Sequence, residues 1–191
     1  MGREYEKKIK IHQIVNLIFS GIALIGLLLP YSSSYGEYRN FLTSNPDILF
    51  AKEIGFKNID AVDLSMLENL RLYFCLANNS HGNDWLKNEA IINVVLIIAL
   101  IASILLILLF TLLNKPVANI VFALILAAAS LLMNYDAVSR HALPSDNYTF
   151  GFTYYLYTPL AVVVIVCSIV GIVIKKKEKK AARLSNFAHA K

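Results

Sequence analysis

Charge is scarce in this chain, and the scarcity is local. Asp, Glu, Lys and Arg supply only 16% of the 191 residues while 57% are hydrophobic, against an apolar share of ~45 to 50% in an ordinary soluble domain. Residues 90–113, 117–133 and 154–174 contain no Asp, Glu, Lys, Arg or His. Runs of this kind argue against a soluble globular fold and suit hydrocarbon, where an ionised side chain costs at least ~2.5 kcal/mol. Cysteine is nearly absent as well. Cys75 and Cys167 are the whole complement and no CxxC occurs, which excludes a disulfide framework. HExxH, GxSxG and P-loop patterns are missing, as are paired acids inside the apolar runs. No catalytic site is read from the residues, and no cofactor or metal is expected.

What is present is a set of four apolar runs, residues 11–30, 90–113, 117–133 and 154–174. At ~1.5 Å per residue they extend roughly 25 to 36 Å, bracketing a hydrocarbon core of ~30 Å. Only Asn114-Lys115-Pro116 separates the second run from the third. About 44 apolar residues in one helix would outreach any bilayer, so the chain must reverse over 114–116. Pro116 suits the first turn of the new helix, with Asn114 as its cap. The expected fold is all-α: a four-transmembrane-helix bundle with a mainly helical extracytoplasmic domain in the first loop.

Lys and Arg orient the bundle. Twelve of them lie in residues 1–10, in the 114–116 turn and in the tail 175–191; six lie in the loops 31–89 and 134–153. The positive-inside rule then predicts both termini in the cytoplasm of a multi-pass cell-membrane protein. Tyr31, Trp85, Tyr135, Phe152, Tyr154 and Tyr155 form an aromatic belt at the opposite ends of the spans. The basic balance is a topology signal and does not point to nucleic acid; Lys175, Lys176, Lys177, Lys179 and Lys180 face anionic headgroups. Residues 11–30 also sketch a signal peptide ending in Ser32-Ser33-Ser34, but the apolar run is longer than signals carry, and a retained helix is expected.

The first external loop, 31–89, is too long for a bare connector. Ser65-Met66-Leu67-Glu68 is a capping box, followed by apolar residues at helical spacing, and predicts a helix over Met66–Ala77. Asn78 to Asn83 reads as a turn, Ile48 to Ala51 as a short helix, and Tyr31 to Asn40 as irregular or weakly extended. Met66, Leu70, Tyr73, Phe74 and Trp85 are the candidate partner-facing residues. Asp60, Asp63 and Glu68 are read as solvated helix-start acids. His141 near Asp136 lacks any accompanying nucleophile. Asn78-Asn79-Ser80 and Asn147-Tyr148-Thr149 are formal glycosylation sequons in the external segments. A domain this small is expected to lean on the membrane, on the 134–153 loop or on a partner.

Within the spans, His12, Asn16 and Ser20 recur at i, i+4 and i+8, a polar stripe on one helix face. Asn119 and Ser168 enter at similar depth. His12, Asn16, Asn119 and Ser168 are the candidate intramembrane polar contacts, read as interhelical hydrogen bonds worth ~0.6 kcal/mol each.

A basic start, a span ending in Leu29-Pro30, a long external loop, a span hairpin and Phe150-Gly151-Phe152-Thr153-Tyr154-Tyr155-Leu156 at the last helix give a layout that resembles small tetraspan membrane proteins of bacteria. It also resembles the claudin layout but departs from the claudin motif, since Trp85 is the sole Trp and Cys75 the sole external Cys. The resemblance implies architecture, not activity. The expected function is non-enzymatic: an accessory or assembly subunit at the cell envelope, set in the lipid bilayer and presenting its external domain to another membrane or envelope protein or to itself. The alternative is a transporter or channel component with a small polar pocket near the cytoplasmic face.

Overall fold

The computed structural model describes the backbone of residues 2–79 and 84–189 and the side chains of 11–79 and 84–183. Four long helices dominate it: α1 (Gly2–Gly26), α4 (Asp84–Leu112), α5 (Pro116–Ser139) and α6 (Tyr157–His189). They close a ring, α4 against α5, α5 against α6, α6 against α1 and α1 against α4. α4, α5 and the Phe152–Arg183 stretch containing α6 are long and apolar enough to cross a membrane; the apolar part of α1, Ile11–Gly26, is shorter.

The helices bury an apolar core, but their outer faces depart from the soluble pattern. α4 buries Asn93, Ser103 and Thr111 along with Ile97, Leu100 and Ile104, and α5 buries Asn119, Ala123 and Ser130. Large aliphatics face outward instead: Ile98, Leu105 and Leu109 on α4, Val121, Leu124 and Leu131 on α5, Val162, Val166 and Ile169 on α6. In water these apolar outer faces would be unfavourable; in lipid they are solvated, while the small and polar residues inside let backbones approach. The make-up is that of a helical membrane protein.

The helix boundaries depart from the apolar runs. α4 begins at Asp84, six residues before the run starts, and α5 continues to Ser139, six residues beyond its run. α1 ends at Gly26, and Leu27, Leu28 and Leu29 finish it with tight turns. Asn114 does not cap α5. It takes a left-handed backbone (φ 52°) in the turn, and Lys115 occupies the cap position.

Between the helices lie α2 (Gly36–Ser44), α3 (Met66–Asn79) and five short strands, β1 (Pro30–Ser34), β2 (Leu49–Ala51), β3 (Phe56–Lys57), β4 (Asp63–Ser65) and β5 (Tyr148–Phe150). Of the segment expected to be irregular or weakly extended, the first part belongs to β1, the central strand of a sheet ordered β4-β1-β5, and the part from Gly36 onward is helical, in α2. Ser32 pairs with Leu64 on one side and with Phe150 on the other. Gly36 (φ 58°) lets the chain turn sharply from β1 into α2. Ile48 to Ala51, expected as a helix, contains β2 and pairs with β3, because a four-residue apolar run has no periodicity of its own and takes the form its neighbour offers.

The capping box forms as written in the sequence: Ser65 N–H donates to Glu68 at 2.6 Å and Glu68 N–H to Ser65 Oγ at 3.3 Å. The helix it starts extends two residues past Ala77. Of the turn expected over 78–83, Asn78 and Asn79 belong to α3, and 80–83 lie outside the described residues. The first sequon includes Ser80 and lies partly outside them too.

Candidate functional site

The two loops form one layer. Gly151 N–H donates to Tyr31 O at 2.8 Å, Tyr148 Oη donates to Ala61 O at 2.7 Å and Tyr35 Oη donates to Ser145 O at 2.8 Å. A Cβ on Gly151 would lie 2.4 Å from the Pro30 carbonyl oxygen, so only glycine lets β5 cross this close to β1. Leu42, Ala61 and Val62, with Tyr38 against them, make a small core of the layer's own. Burial pushes the Tyr31 and Tyr148 phenols well above their ordinary range, keeping both as neutral donors.

Under this layer sits a charged cluster absent from the sequence-based expectations. Arg140 pairs with Asp136 one turn earlier on α5, Asn93 Nδ2 donates to Asp136 at 2.8 Å and Glu89 lies 3.9 Å from Arg140. Burial opposes the charge on Arg140, but its hydrogen bond to Asp136 and the adjacent Tyr73 hold the guanidinium in its charged form. Beside the cluster is a cavity of about 140 Å³ bordered by Tyr31, Asn69, Tyr73, Asn93 and Tyr148. The extra turns of α4 and α5 create the site, since they carry Glu89 and Asp136 past the apolar runs. The i, i+4 spacing of Asp136 and Arg140 was the signal available for it. Asp136 is engaged by Arg140 and Asn93, which removes it from any acid-base partnership with His141.

The candidate partner-facing residues separate. Met66 is buried, and Leu70 and Tyr73 are partly buried against the main core, because the face of α3 that carries them rests on α4. Phe74 and Trp85 are exposed, at 59% and 61%. Phe74 and the edge of Leu70 border a groove of about 570 Å³ that also includes Ile98 from the apolar run of α4. A more prominent apolar surface lies elsewhere. Phe41, Ile48, Leu49 and Ile59 are each about half exposed. Backbone bonds gather three of them: Asn45 N–H donates to Phe41 O, Ile48 N–H to Asn45 O, and Ile59 N–H to Pro46 O. Leu49 follows Ile48 directly.

Of the intramembrane polar candidates, Asn16 and Ser168 come together, while Asn119 pairs with Thr111, a residue not among them. Asn16 Nδ2 donates to Ser168 Oγ at 3.2 Å, joining α1 to α6, and Asn119 Nδ2 donates to Thr111 Oγ1 at 2.8 Å, joining α5 to α4. His12 lies against Gly171, where a Cβ would come within 2.4 Å of its ring nitrogen Nε2. All of these side chains are buried.

Among the described residues no group of three His, Cys, Asp or Glu is placed to hold a metal. Asp60 accepts the Lys57 N–H, Asp63 pairs with Arg39 and Glu68 caps α3, so each of the three loop acids has its own partner. Comparison with protein-family models, with curated proteins and with solved structures returns no match.

Proposed function

We propose that the chain is a four-span protein of the cell membrane, with α1, α4, α5 and α6 crossing the bilayer and both termini cytoplasmic. It serves as a non-enzymatic interaction subunit whose paired loops form an external docking domain. Support for α1 as a span comes from its outer face, where Ile11, Ile14, Ile18, Ile22 and Ile25 are all exposed, an apolar stripe suited to lipid. The observation that carries the interaction reading is the apolar surface of Phe41, Ile48, Leu49 and Ile59. It stands on the loop layer, in residues outside the four apolar runs of the sequence. Copurification from native membranes in mild detergent tests this reading. Ile48→Asp with Ile59→Asp is expected to release a protein, or a second copy, that the wild type retains, while the protein itself still inserts. Unchanged retention would count against the proposal.

One observation favours the transport alternative. Asn16 Oδ1 and Asn119 Oδ1 are buried with no hydrogen-bond partner among the described residues, as groups lining a polar path would be. Asn16→Ala with Asn119→Ala separates the readings, because a pathway would fail while a docking subunit would lose only weak interhelical contacts.

A further inference from the structure

At the end of the helices opposite the loop layer, the turn from α4 to α5 and the adjoining face of α6 enclose an open groove of about 670 Å³. Ligand sites fall between ~300 and 1,000 Å³. The groove floor is apolar, from Phe110 of α4, Val117 of α5 and Ile172 of α6, and its rim is basic, from Lys115, Lys175, Lys176 and Lys179; among the described residues no acid lines it. The α6 residues lie at i, i+3, i+4 and i+7, one face that passes from apolar to basic within two turns. Glu178, the acid on α6, lies one turn from Lys175 but does not line the groove.

α5 starts at the same rim. Its cap residue, Lys115, makes no side-chain capping bond and its first turn contains no acid. The positive end of the helix therefore adds to the lysines where an anion would sit. Lys175 donates to the Asn114 carbonyl oxygen, which fixes α6 against the turn and shapes the groove. Lys115, Lys176 and Lys179 are the remaining cations of the rim.

We infer that this groove holds one anionic glycerophospholipid, an acyl chain along Phe110, Val117 and Ile172 and the phosphate on Lys115, Lys176 and Lys179 beside the start of α5. The inference rests on the reading that the helices stand in a bilayer. It differs from a basic anchor, which needs cations near the membrane in any order, whereas the groove requires these particular ones.

Native mass spectrometry of the full chain in mild detergent, titrated with dioleoyl phosphatidylglycerol or dioleoyl phosphatidylcholine, tests it. One phosphatidylglycerol per chain should bind at about tenfold lower concentration than phosphatidylcholine. Lys176→Gln with Lys179→Gln should remove the preference, and Lys177→Gln with Lys180→Gln, equal in charge but off the groove, should keep it. Val117→Asp should also abolish retention, because it sets a carboxylate in the acyl-chain floor, in the first turn of α5 next to the phosphate, where it repels an anionic lipid. That acid favours the start of a helix and the side chain is 64% exposed, so the fold is spared. Resistance of each variant to alkaline extraction, scored first, reports membrane insertion separately. Equal binding of the two lipids, equal effects of the two lysine pairs, an inert Val117→Asp or displacement by inorganic phosphate would each overturn the inference.

Discussion

The two polar layers of this molecule lie at opposite ends of the same four helices and are built from different chemistry. At the loop end, Glu89, Asp136 and Arg140 are charged, and each keeps about a fifth of its side-chain surface open (22%, 18% and 19%). Toward the other end, Asn16, Thr111, Asn119 and Ser168 are neutral and no more than 2% exposed. A buried ion pair must offset several kcal/mol of desolvation per ion, so charges remain where water still reaches them. A neutral amide or hydroxyl can be enclosed between helices with a single hydrogen bond. The position of each layer along the helices therefore sets the chemistry it can use, and predicts unequal responses to mutation.

Removing Arg140 should have the largest effect. Arg140→Leu leaves Asp136 and Glu89 facing each other in a half-buried site, and is expected to lower stability by about 3 kcal/mol. Asp136→Leu added to it should recover part of the loss by withdrawing one uncompensated charge. Thermal unfolding in mild detergent measures both, and a double variant less stable than Arg140→Leu alone would mean that packing, not charge, dominates the layer.

Next comes the strand crossing that holds the loop layer over this cluster. Gly151→Ala forces a methyl group to within 2.4 Å of a backbone oxygen that cannot swing aside. Overpacking of this kind costs about 2 kcal/mol. Hydrogen exchange should quicken at Gly151 and across β1 and β5 while α5 and α6 stay protected. A loss spread evenly over the helices would show that the two layers are not independent.

In the neutral layer the effects should be smaller. Gly171→Ala presses on the His12 ring and is expected to cost about 1 kcal/mol, and Ser168→Ala about 0.6 kcal/mol through the bond to Asn16. If either matched Arg140→Leu in the same thermal assay, the contrast between the layers would fail.

How much of this was legible in the sequence follows from how local each feature is. The capping box at Ser65 and Glu68 spans four residues and appears with both bonds in place. The His12, Asn16 and Ser20 stripe needs only helical geometry, and the three share one buried face. The β1–β5 pairing joins residues more than a hundred positions apart, and nothing in Ser32-Ser33-Ser34 announces it. The charged cluster was hidden by a boundary. Ending the helix where the apolar run stops, at Met133, separates Asp136 from Arg140, yet the helix continues because polar residues propagate an established helix readily. Exposure of Phe41, Ile48 and Ile59 depends on the tertiary fold and has no signature in their spacing.

The smallest expected effect lies on the surface of the loop layer and depends on pH. Arg39 meets Asp63 with two bonds of 3.0 Å and also donates to Ser34 O at 3.1 Å, tying α2 to β4 and β1. Its hydrogen bond holds the Asp63 carboxyl below the usual carboxylate range. A lowered value in the folded state means that the stabilisation is complete above the ordinary Asp value of ~3.9. It is lost as the pH falls through the lowered one. The two side chains are 42% and 38% exposed, so solvent screening limits the pair to about 0.5 kcal/mol, less at high salt. Arg39→Gln should therefore reduce the thermal midpoint slightly near neutral pH. The gap from wild type should close once the pH is about two units below the ordinary Asp value. A gap that persisted in acid would assign the effect to the neutral contact with Ser34, and Arg39 would then act through its shape rather than its charge.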